Sequence, residues 1–222
     1  MTSETATSAT VTSETRTSAT RTAVPAGREA VHEQAVEGFG TVRIVPVDPV
    51  ADAAVIHRWV TEERARFWGM GDASREQVQE IYTHLDSLTT HHAYLAELDD
   101  EPAALFQTYE PTADRVSECY DVEPGDTGIH LMLGPAAGGP RRGYTGTLLS
   151  VFLSHALSVP GTRRIVAEPD ARNEKAIARL RRTGFVLGPE TVLPEIDLPE
   201  VYLPEKRARL VFLTPESFAG RL

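Results

Sequence analysis

Between Gly128 and Asn173 the chain carries a short apolar run containing a histidine, a glycine- and arginine-rich turn, a helix-periodic stretch, and then Arg164-Ile-Val-Ala-Glu-Pro-Asp170-Ala-Arg-Asn173. Ile129, Leu131 and Leu133 alternate with His130 and Met132, the two-residue period of a strand, so His130 faces away from one hydrophobic layer. Gly134 and Pro135 end the run. Gly138-Gly139-Pro140-Arg141-Arg142-Gly143-Tyr144-Thr145-Gly146 follows, before apolar residues return with helical spacing at Leu148, Leu149, Phe152, Ala156 and Leu157. A glycine-rich turn feeding a helix leaves backbone N–H groups unpaired at the positive end of the helix dipole, and two arginines add charge. Such a turn suits a phosphate, although an ordinary flexible loop has the same pattern. The second strand, Arg164 to Ala167, is stopped by Pro169, which leaves Asp170 at a strand mouth. Asn173 is placed to cap a last helix with Ala176, Ile177 and Leu180 inward, and Gly184 ends it.

Strand, R-x-x-G-x-G/A-like turn, helix, strand, Asn-x-x-Ala, helix and Gly-Phe resembles the acyl-CoA-binding half of the GNAT N-acyltransferases. Phe67-Trp68-Gly69-Met70, Gly128-Ile-His130-Leu, Glu168-Pro-Asp170 with Asn173, and Leu203-Pro-Glu-Lys206 are similar to the siderophore-biosynthesis branch. That branch includes the aerobactin hydroxylysine acetyltransferases, the mycobactin lysine acyltransferases and the desferrioxamine-pathway hydroxycadaverine acyltransferases. The resemblance covers about Phe39 to Phe218.

It implies an α/β (α+β) fold of about seven strands in a mixed, mainly antiparallel sheet, with helices on both faces and a splay between the fourth and fifth strands. It also implies acyl-CoA as co-substrate (acetyl-CoA, succinyl-CoA or both) with no metal, and an acceptor that is the hydroxylamine nitrogen of an N-hydroxylated diamine or lysine. The substrate-contacting histidine carries over to His130 and the proton-accepting acid to Asp170. Cofactor contacts carry over to Met132, Leu133, Arg141, Arg142, Gly143, Thr145, Gly146 and Asn173. Two positions depart from the pattern: Tyr144 stands where a glycine is usual, and Leu180 stands where a tyrosine often reprotonates the thiolate. Thiolate protonation then falls to another group or to solvent.

Composition narrows the partners. A formal net charge of −10 over 222 residues argues against nucleic acid and is compatible with a cationic amine. Hydrophobic content of 41% suffices for one sizeable core. Cys119 is the sole cysteine, so no internal disulfide is possible and no oxidising compartment is indicated. No run of 18 apolar residues and no signal-peptide core occur, so the expected location is cytoplasmic, beside other siderophore-pathway enzymes and away from membranes. His91-His92 lacks a metal-ligand spacing, and Cys119 has no histidine near it in sequence to activate a thiol.

Residues 2–10 and 12–20 are nearly the same polar string, and large apolar residues are almost absent before Phe39, so residues 1–38 are expected to be a disordered tail and 39–222 the enzyme domain. Thr41 to Val47 reads as the first strand, and Asp48-Pro49 as the cap of a helix running to about Glu63. Phe67 and Trp68 are expected as a mobile aromatic segment over the acceptor cleft, with core plugs as the plain alternative. Ser74 to Gln77 has capping-box spacing before a second helix. Ala93–Leu98 and Ala103–Tyr109 flank Asp99-Asp100-Glu101-Pro102 and should form a hairpin. Glu110 to Gly125 is acidic and irregular; Phe185–Val192 and Lys206–Leu213 are the last strands. The long loop between them, with Tyr202, is a candidate substrate wall. Acids dominate these two segments, with Arg115 the one base, which favours N-hydroxycadaverine over N6-hydroxylysine. A general polyamine or protein-amine acetyltransferase is the alternative enzyme, and a CoA-binding module without turnover is the alternative class.

Overall fold

The computed structural model describes residues 28–198 and 201–219. In chain order the strands and helices are β1 (His32–Val36), β2 (Gly40–Pro46), α1 (Ala53–Val60), α2 (Arg75–Ser87), β3 (His91–Leu98), β4 (Glu101–Tyr109) and β5 (Asp126–Leu133). Then come α3 (Tyr144–Ser158), β6 (Arg164–Ala167), α4 (Glu174–Thr183), β7 (Val186–Leu193), β8 (Ile196–Leu198), β9 (Val201–Leu203), β10 (Lys206–Leu213) and α5 (Pro215–Ala219). Eight strands form one sheet in the order β1-β2-β3-β4-β5-β6-β10-β7, and β8 and β9 make a small separate pair. Neighbours in the large sheet are antiparallel except β5 and β6.

That parallel pair holds over three residue pairs only, Asp126↔Arg164 to Gly128↔Val166, while β5 runs on to Leu133. Arg164 and Asp126 lock the start of the pair with two hydrogen bonds of 2.7 Å. Beyond Gly128 the strands part, and these are the fourth and fifth of the seven expected from the sequence.

The two faces of the sheet are sorted by the strand period. Ile129, Leu131 and Leu133 join the core that packs on α3 and Leu180 of α4; Phe106 stacks on Phe152 there at 4.1 Å between ring centroids. Leu105 and Met132 face the other way, onto Trp59 of α1 and Tyr82 of α2. His130 therefore lies on the α1/α2 face. A third cluster on that face, Tyr109, Val116, Leu193, Ala208 and Leu210, is roofed by two 3₁₀ turns, Pro111–Ala113 and Arg115–Glu118. Full burial of each large apolar side chain is worth roughly 1.5–3 kcal/mol.

Local signals that do not depend on packing come out as expected. Ser74 and Gln77 form a reciprocal capping box, and Asp99 and Asp100 turn the β3–β4 hairpin with φ of 51° and 66°. Asn173 caps α4 through Ala176 N–H, and Gly184 closes it at φ 110°. Two expectations are corrected. Residues 32–36, assigned to the tail, are β1, paired with β2 from His32↔Ile44 to Val36↔Gly40. A mostly exposed edge strand held by backbone bonds shows no apolar alternation. The remainder of the expected tail, residues 1–27, lies outside the described residues. The first helix starts at Ala53, not Asp48, and ends at Val60. Asp48 instead caps a preceding turn by accepting from Val50 and Ala51 N–H, while Asp52 accepts from Asp48 N–H and Arg28.

Candidate active site

Where β5 and β6 part, His130 and Glu168 come together. His130 Nε2 donates to Glu168 Oε1 at 2.6 Å, and His130 Nδ1 lies 3.0 Å from Gln107 Oε1. Glu168 is 4% exposed and is satisfied by two further donors, Tyr109 Oη at 2.8 Å and Lys206 Nζ at 3.4 Å. Burial by itself would raise the Glu168 carboxyl, but the charges of His130 and Lys206 and the donated hydrogen bonds outweigh it and hold the carboxyl well below its usual range. Tyr109 moves the other way: burial, then the neighbouring Glu168 charge, keeps its hydroxyl protonated and so a donor. The His130 side chain is 35% exposed and that of Lys206 26%, while Glu168 and Tyr109 between them are buried.

The rings around His130 form a box open on one side. Tyr109 lies at 4.9 Å, Trp68 meets it edge-on at 6.3 Å, and His91 stacks behind Tyr109 at 5.7 Å. Trp68 comes from the 3₁₀ turn Glu63–Trp68, ended by Gly69 at φ 85°. Gly128 lets the box close, because a Cβ there would lie 2.1 Å from the Tyr109 ring.

Asp170, expected as the proton acceptor, has different partners. Its carboxylate receives Arg172 Nε at 2.9 Å, Arg172 Nη2 at 2.7 Å and Arg172 N–H at 2.9 Å, and those bonds hold it below the ordinary aspartate range. No hydrogen bond joins it to His130. The acid that stands against His130 is Glu168. Phe67, the other half of the expected aromatic segment, lies against the guanidinium groups of Arg66 at 4.6 Å and Arg172 at 5.8 Å, which puts it on the rim. Tyr202 is exposed on β9 and donates to Glu195 at 3.2 Å.

The donor side is built from backbone. Gly134 N–H donates to Ala103 O across to β4, and strand amides alternate edges, so Leu133 N–H points into the gap between β5 and β6 while Met132 N–H points at β4. Of the two residues expected to polarise a carbonyl, Leu133 has the free amide. Arg64 Nη1 already reaches Leu133 O in that gap.

The loop before α3 turns through Gly138, Gly139 and Gly143, with φ of 80°, 102° and 80°, a conformation that other residues rarely adopt. Gly143 caps α3 without a side chain, and space at Gly146 is open, so the first α3 amides, Thr145 and Gly146, are accessible. Tyr144 turns inward, buried, its hydroxyl donating to Ala103 O at 3.1 Å, so the missing glycine does not crowd the loop. Arg141 is drawn to the β1–β2 turn by Phe39 O and the Phe39 ring at 4.2 Å, while Arg142 stays exposed. Asn173 Oδ1 is engaged as the α4 cap. Open amides at a helix N-terminus beside a free strand edge fit a pantetheine chain and its pyrophosphate.

Glu168, Tyr109, Gln107 and Lys206 escaped the sequence reading as site residues. Glu168-Pro-Asp170 offered two acids two residues apart, and the sequence held no signal to choose between them.

Several known proteins are similar. The N(6)-hydroxylysine O-acetyltransferase of Escherichia coli is 30% identical over 140 residues, which are 62% of this chain and 44% of that protein, so the match spans less than half of the relative. An uncharacterized protein from Bacillus halodurans superposes with a TM-score of 0.71 at 23% identity, over 87% of this chain and 95% of its own. The aminoglycoside acetyltransferase AAC(6')-Ib in complex with coenzyme A gives a TM-score of 0.64 at 22% identity, over 81% and 98% of the chains. A spermidine N-acetyltransferase from Vibrio cholerae with CoA and spermine gives 0.59 at 14%, over 80% and 98%. These structures share the fold. Among the described residues no helix is long and apolar enough to cross a membrane. Residues 48–193 match the model of the acetyltransferase (GNAT) domain, and the chain belongs to that family of acyl-CoA-dependent acyltransferases.

Proposed function

We propose that this protein transfers an acyl group from acyl-CoA to the hydroxylamine nitrogen of an N-hydroxylated diamine, N-hydroxycadaverine, giving a hydroxamate for a siderophore. The observation that carries the reading is His130, exposed at one end of a buried network and backed by Glu168 at 2.6 Å where the sheet opens. The hydroxylamine nitrogen attacks the thioester carbon, the C–N bond forms and the C–S bond breaks. Leu133 N–H faces the oxygen that gains charge. His130, when neutral, accepts the nitrogen's proton at Nδ1, which exchanges Gln107 for the acceptor while Nε2–H stays on Glu168, and the thiolate takes a proton from another group or from solvent.

A hydroxylamine suits this site because it is far less basic than an alkylamine and is already neutral at pH 7. His130 need only accept a proton during attack. The formal net charge of −10 and the acids of residues 110–125 and 193–205 favour an acceptor with a distal ammonium over one with a carboxylate. N6-hydroxylysine is the second reading, favoured by the cationic rim of Arg66 and Arg172 and by the name of the Escherichia coli relative. On either reading the protein works with the other enzymes of a siderophore pathway in the cytoplasm.

The test measures thiol release from acetyl-CoA and succinyl-CoA with N-hydroxycadaverine, N6-hydroxylysine, cadaverine and spermidine. The reading requires the hydroxylamines to exceed their parent amines in kcat/KM, with N-hydroxycadaverine ahead. Faster turnover of spermidine would make this a polyamine acetyltransferase, and no thiol release with any acceptor would leave a CoA-binding module.

A further inference from the structure

We infer that Arg115 is a positioning residue for the acceptor, fastening the β8–β9 pair on the His130 side of the sheet. This rests on the acyltransferase reading and goes beyond it by naming what holds the acceptor wall. One nitrogen of Arg115, Nη1, donates to Pro194 O at 2.8 Å, Pro204 O at 2.8 Å and Leu203 O at 3.4 Å. Those carbonyls lie on the two feet of the pair, just before β8 and at the end of β9.

Such a clasp is needed, since β8 and β9 are three residues each and pair only with one another. Isolated two-stranded ribbons of that length do not hold themselves in water. Both feet also lead straight into the catalytic network. Leu193, before the first foot, is buried with Tyr109 and Val116, and Tyr109 donates to Glu168. Lys206, after the second, donates to the same carboxylate. Val116, next to Arg115, is fully buried, so the guanidinium projects from a fixed base.

The faces of the sheet decide which substrate feels the clasp. Leu193, Ala208 and Leu210 share the face of His130, whereas the glycine loop and α3 lie over the opposite face, against Ile129, Leu131 and Leu133. Loosening the β8–β9 pair should therefore disturb the acceptor and leave acyl-CoA alone.

The experiment compares Arg115→Ala and Arg115→Lys with the wild type in two ways. In steady state, Arg115→Ala should raise the KM for N-hydroxycadaverine about tenfold, with KM for acyl-CoA within about twofold. Arg115→Lys should restore most of the loss, because an ammonium offers three N–H donors where Nη1 has two. In hydrogen exchange without substrates, Arg115→Ala should lose protection at residues 196–198 and 201–203 and keep it in β5 and β10. Unchanged exchange there would overturn the clasp whatever the turnover. Lost protection with an unchanged acceptor KM, or with both KM values rising together, would overturn the positioning role. A wild type that releases no thiol with any acceptor would remove the reaction Arg115 is argued to serve, a failure separable from the exchange result.

Discussion

Replacing Glu168 by glutamine changes one oxygen for an NH₂ and leaves the volume nearly the same, so its consequences can be worked from the contacts. Glu168 accepts from His130 and Lys206 on Oε1 and from Tyr109 on Oε2. A glutamine amide has one acceptor oxygen, so on one side its NH₂ must face another donor in a site that is 4% exposed. Losing one hydrogen bond to a charged group costs about 1.5–3 kcal/mol. For a chain of this size that lowers the melting temperature by roughly 3–12 °C. The kinetic loss should be larger, because the carboxylate that orients His130 and stabilises the charge it gains during attack is gone. General acid–base catalysis contributes about 10²–10⁴-fold, so kcat for N-hydroxycadaverine should fall by at least ~100-fold with KM for acyl-CoA little changed.

Asp170→Asn is the control. Its partner Arg172 has a side chain 80% exposed, so solvent screens the ion pair, and kcat should stay within about fivefold of the wild type. The assay is thiol release at saturating acyl-CoA, with calorimetric melting of each variant. If Asp170→Asn costs more in kcat than Glu168→Gln, the role given to Glu168 is refuted and Asp170 returns as the proton acceptor.

Glu168 also sets a pH dependence. Its folded carboxyl is held below the ordinary value of 4.5, so its stabilisation is fully present above that value and is lost as the pH falls beneath it; melting temperature should drop on acidification below about pH 4.5, less so in Glu168→Gln. Gly128→Ala puts a Cβ within 2.1 Å of the Tyr109 ring, which should destabilise by about 1–3 kcal/mol in denaturant unfolding and cut activity by moving the hydroxyl off Glu168. Gly143→Val forces a β-branched residue to φ 80° at the α3 cap and should raise KM for acyl-CoA at least about tenfold while leaving KM for the acceptor unchanged. Arg28→Ala strips the buried Asp52 carboxylate of its charged partner and should cost stability, by about 2 kcal/mol in urea unfolding, without altering kcat.

Wherever the controlling interaction is local in the chain, the sequence alone was sufficient. The capping box at Ser74 and Gln77, the Asp99-Asp100 turn, the Asn173 cap and the Gly184 stop involve residues within a few positions of each other, and each is found in the structure. The alternation of Ile129, Leu131 and Leu133 likewise fixed which way His130 points. Tertiary structure decided what depends on partners far along the chain. β1 is visible only through its pairing with β2, because an exposed edge strand carries no apolar period. Glu168 and Asp170 are two residues apart and chemically alike; which one meets His130 is set by Tyr109, 59 positions away, and by Lys206, 38 away, whose approach only the assembled sheet brings about. Arg115 reads in sequence as a lone base in an acidic loop, and its three carbonyl partners, 79 to 89 residues later, exist only once β7 and β10 lie beside it.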